Sequence, residues 1–146
     1  MSRKTKKGRS VSGPPFIALP IYIYECPAWN SLSATERLIW LALVRRYNGK
    51  NNGRLGLSVR DAAKEARVNK DTAGQHFKTL AARGFIEVAE ESCLETRMAR
   101  EWRLTHLKCD RTNHLPSKAF MKWTPVEVAP ANENLTAPQT KVSKAA

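Results

Sequence analysis

Two short amphipathic stretches separated by only three residues, Arg67, Val68 and Asn69, restrict what this chain can fold into more than any other feature. Before the break, Val59, Ala62, Ala63 and Ala66 fall on one face of a helix of two to three turns. That helix opens at Ser58-Val59-Arg60-Asp61, a capping-box-like start with an acid at the third helical position. After the break, Asn69 offers its side-chain oxygen as an N-cap, and Ala73, Phe77 and Leu80 stand at i, i+4 and i+7. The spacing predicts a helix over 70–83, ended by Gly84 as its C′ residue. A joint this short holds the two helices close. Ala62 and Ala63 are small enough to allow the approach, Val68 plugs the space under the turn, and Ala73 keeps the later helix near its partner.

The flanking sequence extends this unit on both sides. Ser33-Ala34-Thr35-Glu36 is a capping box ahead of Leu38, Ile39, Leu41, Ala42 and Val44, which predicts a first helix over 34–47. Asn48, Gly49, Asn51, Asn52 and Gly53 then form a polar turn, and Leu55 and Leu57 alternate with Arg54 and Gly56 as in a very short strand. Beyond Gly84, Phe85, Ile86 and Val88, and later Trp102 and Leu104, read as a hairpin whose long loop holds Glu90, Glu91, Ser92 and Glu95. The run from Phe16 to Tyr24 contains Pro20 and reads as a covering segment rather than a central strand. Residues 107–124, with Leu115, Phe120, Met121 and Trp123, have two uses open to them: docking back on the domain or forming a homodimer surface. The fold class that results is mainly α with a small β-hairpin, built on three helices.

Charge decides which partners suit such a domain. Lys and Arg number 25 against 13 Asp and Glu, a net +12. Residues 1–15 carry Arg3, Lys4, Lys6, Lys7 and Arg9 with no acid and form a basic arm, expected to be disordered. The remaining surplus is spread along the chain, except over 87–105, where acids outnumber bases. A distributed positive excess favours a polyanion, either nucleic acid or anionic lipid. The arm holds Gly8, Gly13, Pro14 and Pro15 and no apolar stripe, so it presents no membrane-binding amphipathic helix. No apolar run approaches the roughly 18 residues of a membrane span, and no apolar signal segment follows the basic N-terminus. With 42% hydrophobic residues, four Trp, four Phe and three Tyr, the chain has enough for a core. Residues 16–124 are the expected folded domain. From Pro125 onward, Pro, Ala, Asn and Thr dominate, and 125–146 is expected to be a disordered tail. Cys26, Cys93 and Cys109 follow no disulfide spacing, which suits a reducing compartment. The expectation is a cytoplasmic protein with nucleic acid, not membrane, as its partner.

The order helix, short strand, helix, tight turn, helix, hairpin resembles the winged helix-turn-helix family of DNA-binding domains. The likeness is carried by Ser58 to Ile86: small residues in the second helix, a turn, Val68, the Asn69 cap, Thr72, the apolar positions of the third helix, and Leu80-Ala81-Ala82-Arg83-Gly84-Phe85-Ile86 leading into the wing. It covers roughly 33–105. The resemblance implies that the helix over 70–83 enters the major groove of duplex DNA. Base edges would then meet Lys70, Asp71, Thr72, Gln75 and Thr79. Gln75 suits adenine N6 and N7, Lys70 guanine O6 or N7, and Thr72 a thymine methyl or a phosphate. Phosphate contacts fall to Arg60, Lys64, Asn69, His76, Lys78, Arg97 and Arg100. For His76 a second role, on a helix surface partly covered by the wing, stands beside the first. Gly74, inside a helix, costs about 1 kcal/mol relative to Ala and is either tolerated or needed for a close approach. The basic arm has a place in an adjacent minor groove.

The implied function is sequence-specific double-stranded DNA binding for transcription regulation. Its alternatives are a plasmid- or phage-type replication initiator, a winged-helix protein–protein adaptor, and a basic RNA-binding module. No phosphate-cradling glycine loop, nucleophile elbow or His–carboxylate zinc motif appears, so neither an enzyme nor a cofactor is expected. Cys93, His106, Cys109 and His114 are ligand types for zinc, but their spacing matches no standard finger, and no metal is assigned.

Overall fold

Side-chain caps set where the helices begin. In a computed structural model, which describes residues 13–90, 95 and 99–125, five α-helices, one 3-10 helix and three strands are present among the described residues. Two single turns come first, α1 (Ile21–Tyr24) and α2 (Pro27–Asn30). The segment expected to cover the core therefore does so partly as helix, with Ile23, Ala28 and Trp29 buried. In α3 (Ala34–Arg46) both legs of the capping box form: Glu36 N–H donates to Ser33 Oγ at 3.3 Å, and Ser33 N–H to Glu36 Oε2 at 2.7 Å. Asp61 N–H donates to Ser58 Oγ at the head of α4 (Val59–Ala66), and Thr72 N–H to Asn69 Oδ1 at the head of α5 (Lys70–Ala82).

The ends are set by backbone geometry. Arg67 closes α4 in the left-handed region at φ 56°. At the end of α5, Gly84 takes φ +82°, while Gly84 N–H donates to Ala81 O and Phe85 N–H to Leu80 O, both at 3.0 Å. A Cβ at Gly84 would lie 2.6 Å from backbone atoms of Ala119 and Phe120, so this position needs both the conformational freedom and the missing side chain. α3 and α5 each stop one residue short of the expected boundary.

The hairpin comprises β2 (Ile86–Glu90) and β3 (Glu101–Leu104), with an irregularity between Val88 and Glu90. The very short strand foreseen at Leu55 is β1 (Leu55–Gly56), and it pairs antiparallel with β3. The sheet thus has three strands in the order β1-β3-β2 rather than a hairpin alone.

One aromatic cluster joins the layers. Trp29, Trp40 and Phe85 meet edge to face, with ring centroids 5.2, 5.9 and 6.5 Å apart, and Phe120 stacks on Phe85 at 4.9 Å. Phe120 belongs to the 3-10 helix Ala119–Lys122, so of the two uses open to 107–124 this part of the chain docks back on the domain. Aromatic pairs of this kind add about 0.5–1.5 kcal/mol each beyond their buried area.

The turn over 48–53 departs from the expectation of a polar surface loop. Asn52 is fully buried. Its Nδ2 donates to the carbonyls of Leu104, Leu107 and Lys108 at 2.9, 3.2 and 2.9 Å, and its Oδ1 accepts from Leu104 N–H at 2.7 Å. Its own N–H donates to Asp110 Oδ2 at 2.9 Å. One side chain therefore ties the loop after α3 to the end of β3 and the segment beyond.

Asn52→Ala leaves several buried backbone groups of residues 104–108 unpartnered and is expected to lower unfolding free energy by at least about 2 kcal/mol in urea titrations. His106, 9% exposed against Trp40, provides a pH test. Burial, aided by the charge of Lys118, pushes its pKa down to about 4 from the ordinary 6.5. Between these values the unfolded chain takes up a proton that the folded chain refuses. Stability should therefore fall as pH drops through this window, by at most about 1.4 kcal/mol per unit from this group. His106→Phe should flatten that part of the profile; equal slopes in both proteins would refute the assignment.

Candidate nucleic-acid interface

The polar side of α5 has two edges with different surroundings, because positions 3 and 4 residues apart share a stripe. Asp71, Gln75 and Lys78 form an exposed stripe, with exposed Lys70 beside it. Thr72, His76, Thr79 and Arg83 form a second, half-buried stripe that faces α2 and α3. Opposite both, Ala73, Phe77 and Leu80 are buried. Of the five side chains expected at base edges, Lys70, Asp71 and Gln75 are thus fully open, while Thr72 and Thr79 sit on the sheltered flank.

His76 is corrected most. Its Nε2 lies 2.9 Å from Thr35 Oγ1 and its Nδ1 3.4 Å from Glu36 Oε1, with a side chain only 14% exposed. Both ring nitrogens face α3, not the hairpin and not an open phosphate site. Further along the flank, Arg83 Nε donates to Ser31 Oγ at 2.6 Å, and its guanidinium lies over Trp123 at 5.2 Å. Asn69 spends its Oδ1 on the cap of α5. These contacts fix the rotation of α5 about its own axis.

Exposed cations line the same side of the domain. Arg60, Lys64 and Arg67 repeat at helical spacing along α4 and its C-cap, all exposed. Together with Lys70 and Lys78 they form no ion pair with another described residue. Carboxylates nearby are largely occupied. Glu65 meets Arg46 at 2.6 Å and Arg45 at 3.4 Å, and the Arg46 hydrogen bond holds its pKa below the usual range. Asp61 accepts from the Ser58 hydroxyl at 2.8 Å.

The acidity of 87–105 also has a local answer. Glu87 pairs with Arg103 across the strands at 3.1 Å. Glu90 and Glu101 stand directly opposite one another, and Arg111 binds both, reaching Glu101 at 3.1 Å. The carboxylates of the sheet are therefore compensated by arginines from β3 and from the following loop. Arg100, exposed, lies over the Trp102 ring at 5.5 Å. Arg97 and Cys93, the tail from residue 126, and the arm residues Arg3, Lys4, Lys6, Lys7 and Arg9 fall outside the described residues.

Other sequence signals resolve as packing. His106 and Cys109 are buried and His114 exposed, and no group of three or more His, Cys, Asp or Glu side chains among the described residues is placed to hold a metal ion. No described helix is long and apolar enough to cross a membrane. Compared with known protein families, characterised proteins and solved structures, the chain matches none.

Gly74 faces open space, with no atom within 4 Å of a built Cβ and no positive φ. The fold has no internal need for it. Gly74→Ala should raise unfolding free energy by about 1 kcal/mol through helix propensity alone, measured by thermal and urea denaturation; a loss of stability would show a constraint on this position from within the domain.

Proposed function

We propose that this chain is a winged helix-turn-helix protein that binds duplex DNA at specific sequences and thereby regulates transcription. In this reading α4, the Arg67–Asn69 joint and α5 are the helix-turn-helix, and the small sheet is the wing. The observation that carries it is the contrast in charge. Arg60, Lys64, Arg67, Lys70 and Lys78 are exposed and make no ion pair with another described residue, whereas the glutamates of the sheet are matched within the molecule. Unmatched cations on one side attract a polyanion, and each phosphate neutralised releases counterions.

The roles then divide by position. Gln75 and Lys70 read base edges from the exposed stripe, Gln75 preferring adenine and Lys70 guanine. Asp71 beside them accepts from cytosine N4 or excludes a purine acceptor. Arg60, Lys64 and Lys78 hold phosphates and set the register without carrying sequence information. His76, Thr72 and Thr79 keep α5 turned so that Gln75 points outward.

Selection of bound sequences from a random duplex pool tests the reading directly: a recurrent motif is expected. Affinity for that motif should fall steeply with salt. Gln75→Ala should cost roughly 1–3 kcal/mol of discrimination between sites, while Lys64→Ala should weaken all duplexes alike and reduce the salt slope by about 1. No motif and a flat salt response would favour a protein adaptor; preference for RNA over the duplex would favour the RNA-binding module.

A further inference from the structure

Between α5 and the β2–β3 hairpin runs a groove of about 500 Å³. That volume lies within the range of small-molecule sites. Its interior is apolar. Phe77 and Trp102, stacked with centroids 4.8 Å apart and planes within 4° of parallel, both line it, and each is only 3% exposed. Trp102 is pinned, its indole N–H donating to Leu57 O at 3.4 Å. Val59 and Val88 add aliphatic walls, and Val88 is 40% exposed there.

Two features give the groove a direction. Gly74 lines it and leaves space that any larger side chain at this position on α5 would occupy. Lys78 from the helix and Arg100 from the hairpin line it from opposite sides, and no carboxylate stands among its lining residues. A flat aromatic base under cationic lips complements an occupant with a planar apolar body and an anionic end.

We propose that the groove between α5 and the hairpin binds a small planar aromatic carboxylate, with its ring against the Phe77–Trp102 base and its carboxylate at Lys78 and Arg100. Ring contact supplies burial of apolar surface, and the cations select the charged end. The groove adjoins Lys78 and Gln75, so an occupant also competes with DNA; that consequence alone rests on the DNA-binding reading.

The probe is 2-naphthoate, titrated into the full chain and followed by amide and indole N–H shifts in NMR. Saturable shifts are expected at Gly74 and at the Trp102 indole. The neutral isostere 2-naphthalenemethanol should bind roughly tenfold more weakly, the size of a lost charge-assisted contact. Lys78→Gln should bring naphthoate down to the level of the alcohol. Gly74→Leu should abolish binding of both while melting at or above the wild-type temperature, which separates a filled groove from a misfolded chain. Absence of saturable shifts, retention of binding in Gly74→Leu, or equal affinity for acid and alcohol would each overturn the proposal. Gly74→Leu that loses duplex binding in a chain that never binds naphthoate would instead assign the groove to the DNA backbone. Duplex binding unaffected by bound naphthoate would remove only the competition, and naphthoate binding with no duplex binding at all would leave the site standing and the DNA reading fallen.

Discussion

Close approach of α4 and α5 governs the rest of the molecule. Ala62, Ala63 and Ala66 on one helix and Ala73 on the other are buried with no side chain beyond Cβ to hold the backbones apart. Between them the chain turns through Arg67 in the left-handed region, a conformation that costs a non-glycine residue of order 1 kcal/mol or more. With the joint this short, α5 has little freedom to slide. Its rotation is then set by Phe77 and Leu80 inward and by the His76 and Arg83 contacts on its flank. Every statement about which side chains of α5 face outward follows from that arrangement.

Much of this was legible because helix starts and stops are local chemistry. Ser33, Ser58 and Asn69 each satisfy an amide three residues on, and a reader needs only the spacing to foresee it. Gly84 was legible for the same reason. What escaped depends on contacts far apart in sequence. Asn52 looks like any turn asparagine until the end of β3, 52 residues later, supplies its partners. The pairing of β1 with β3 is hidden likewise, since Leu55 and Gly56 show too short an alternation to name a neighbour. α1 and α2 are single turns stabilised by burial of Ile23 and Trp29, not by propensity, and Pro20 and Pro27 obscure them further.

The candidate site divides along the same line. Exposure of Lys70, Asp71 and Gln75 follows from helical periodicity once the core residues of α5 are identified. The fate of His76 does not, because its partners Thr35 and Glu36 lie on another helix, 41 residues away in the case of Thr35. Glu36 is a case of double use: one carboxylate oxygen closes the capping box of α3 while the other faces His76. A capping residue read from sequence as a purely local device thus also orients the helix proposed to read DNA.

Charge shows most clearly why summing along a chain misleads. Acids in 87–105 outnumber bases, which suggests a hairpin that repels a polyanion. Yet the opposed pair Glu90 and Glu101 shares Arg111, which comes from beyond the hairpin, and Glu87 is met by Arg103. Pairs in contact present little field at a distance, since opposite charges a few ångströms apart cancel beyond a Debye length of about 10 Å in 0.1 M salt. The cations of α4 and α5 have no such partners among the described residues, so the potential of a +12 chain is strongest on that side. Electrostatic attraction and the outward stripe of α5 therefore coincide on one surface, although nothing in the packing of the core requires them to do so.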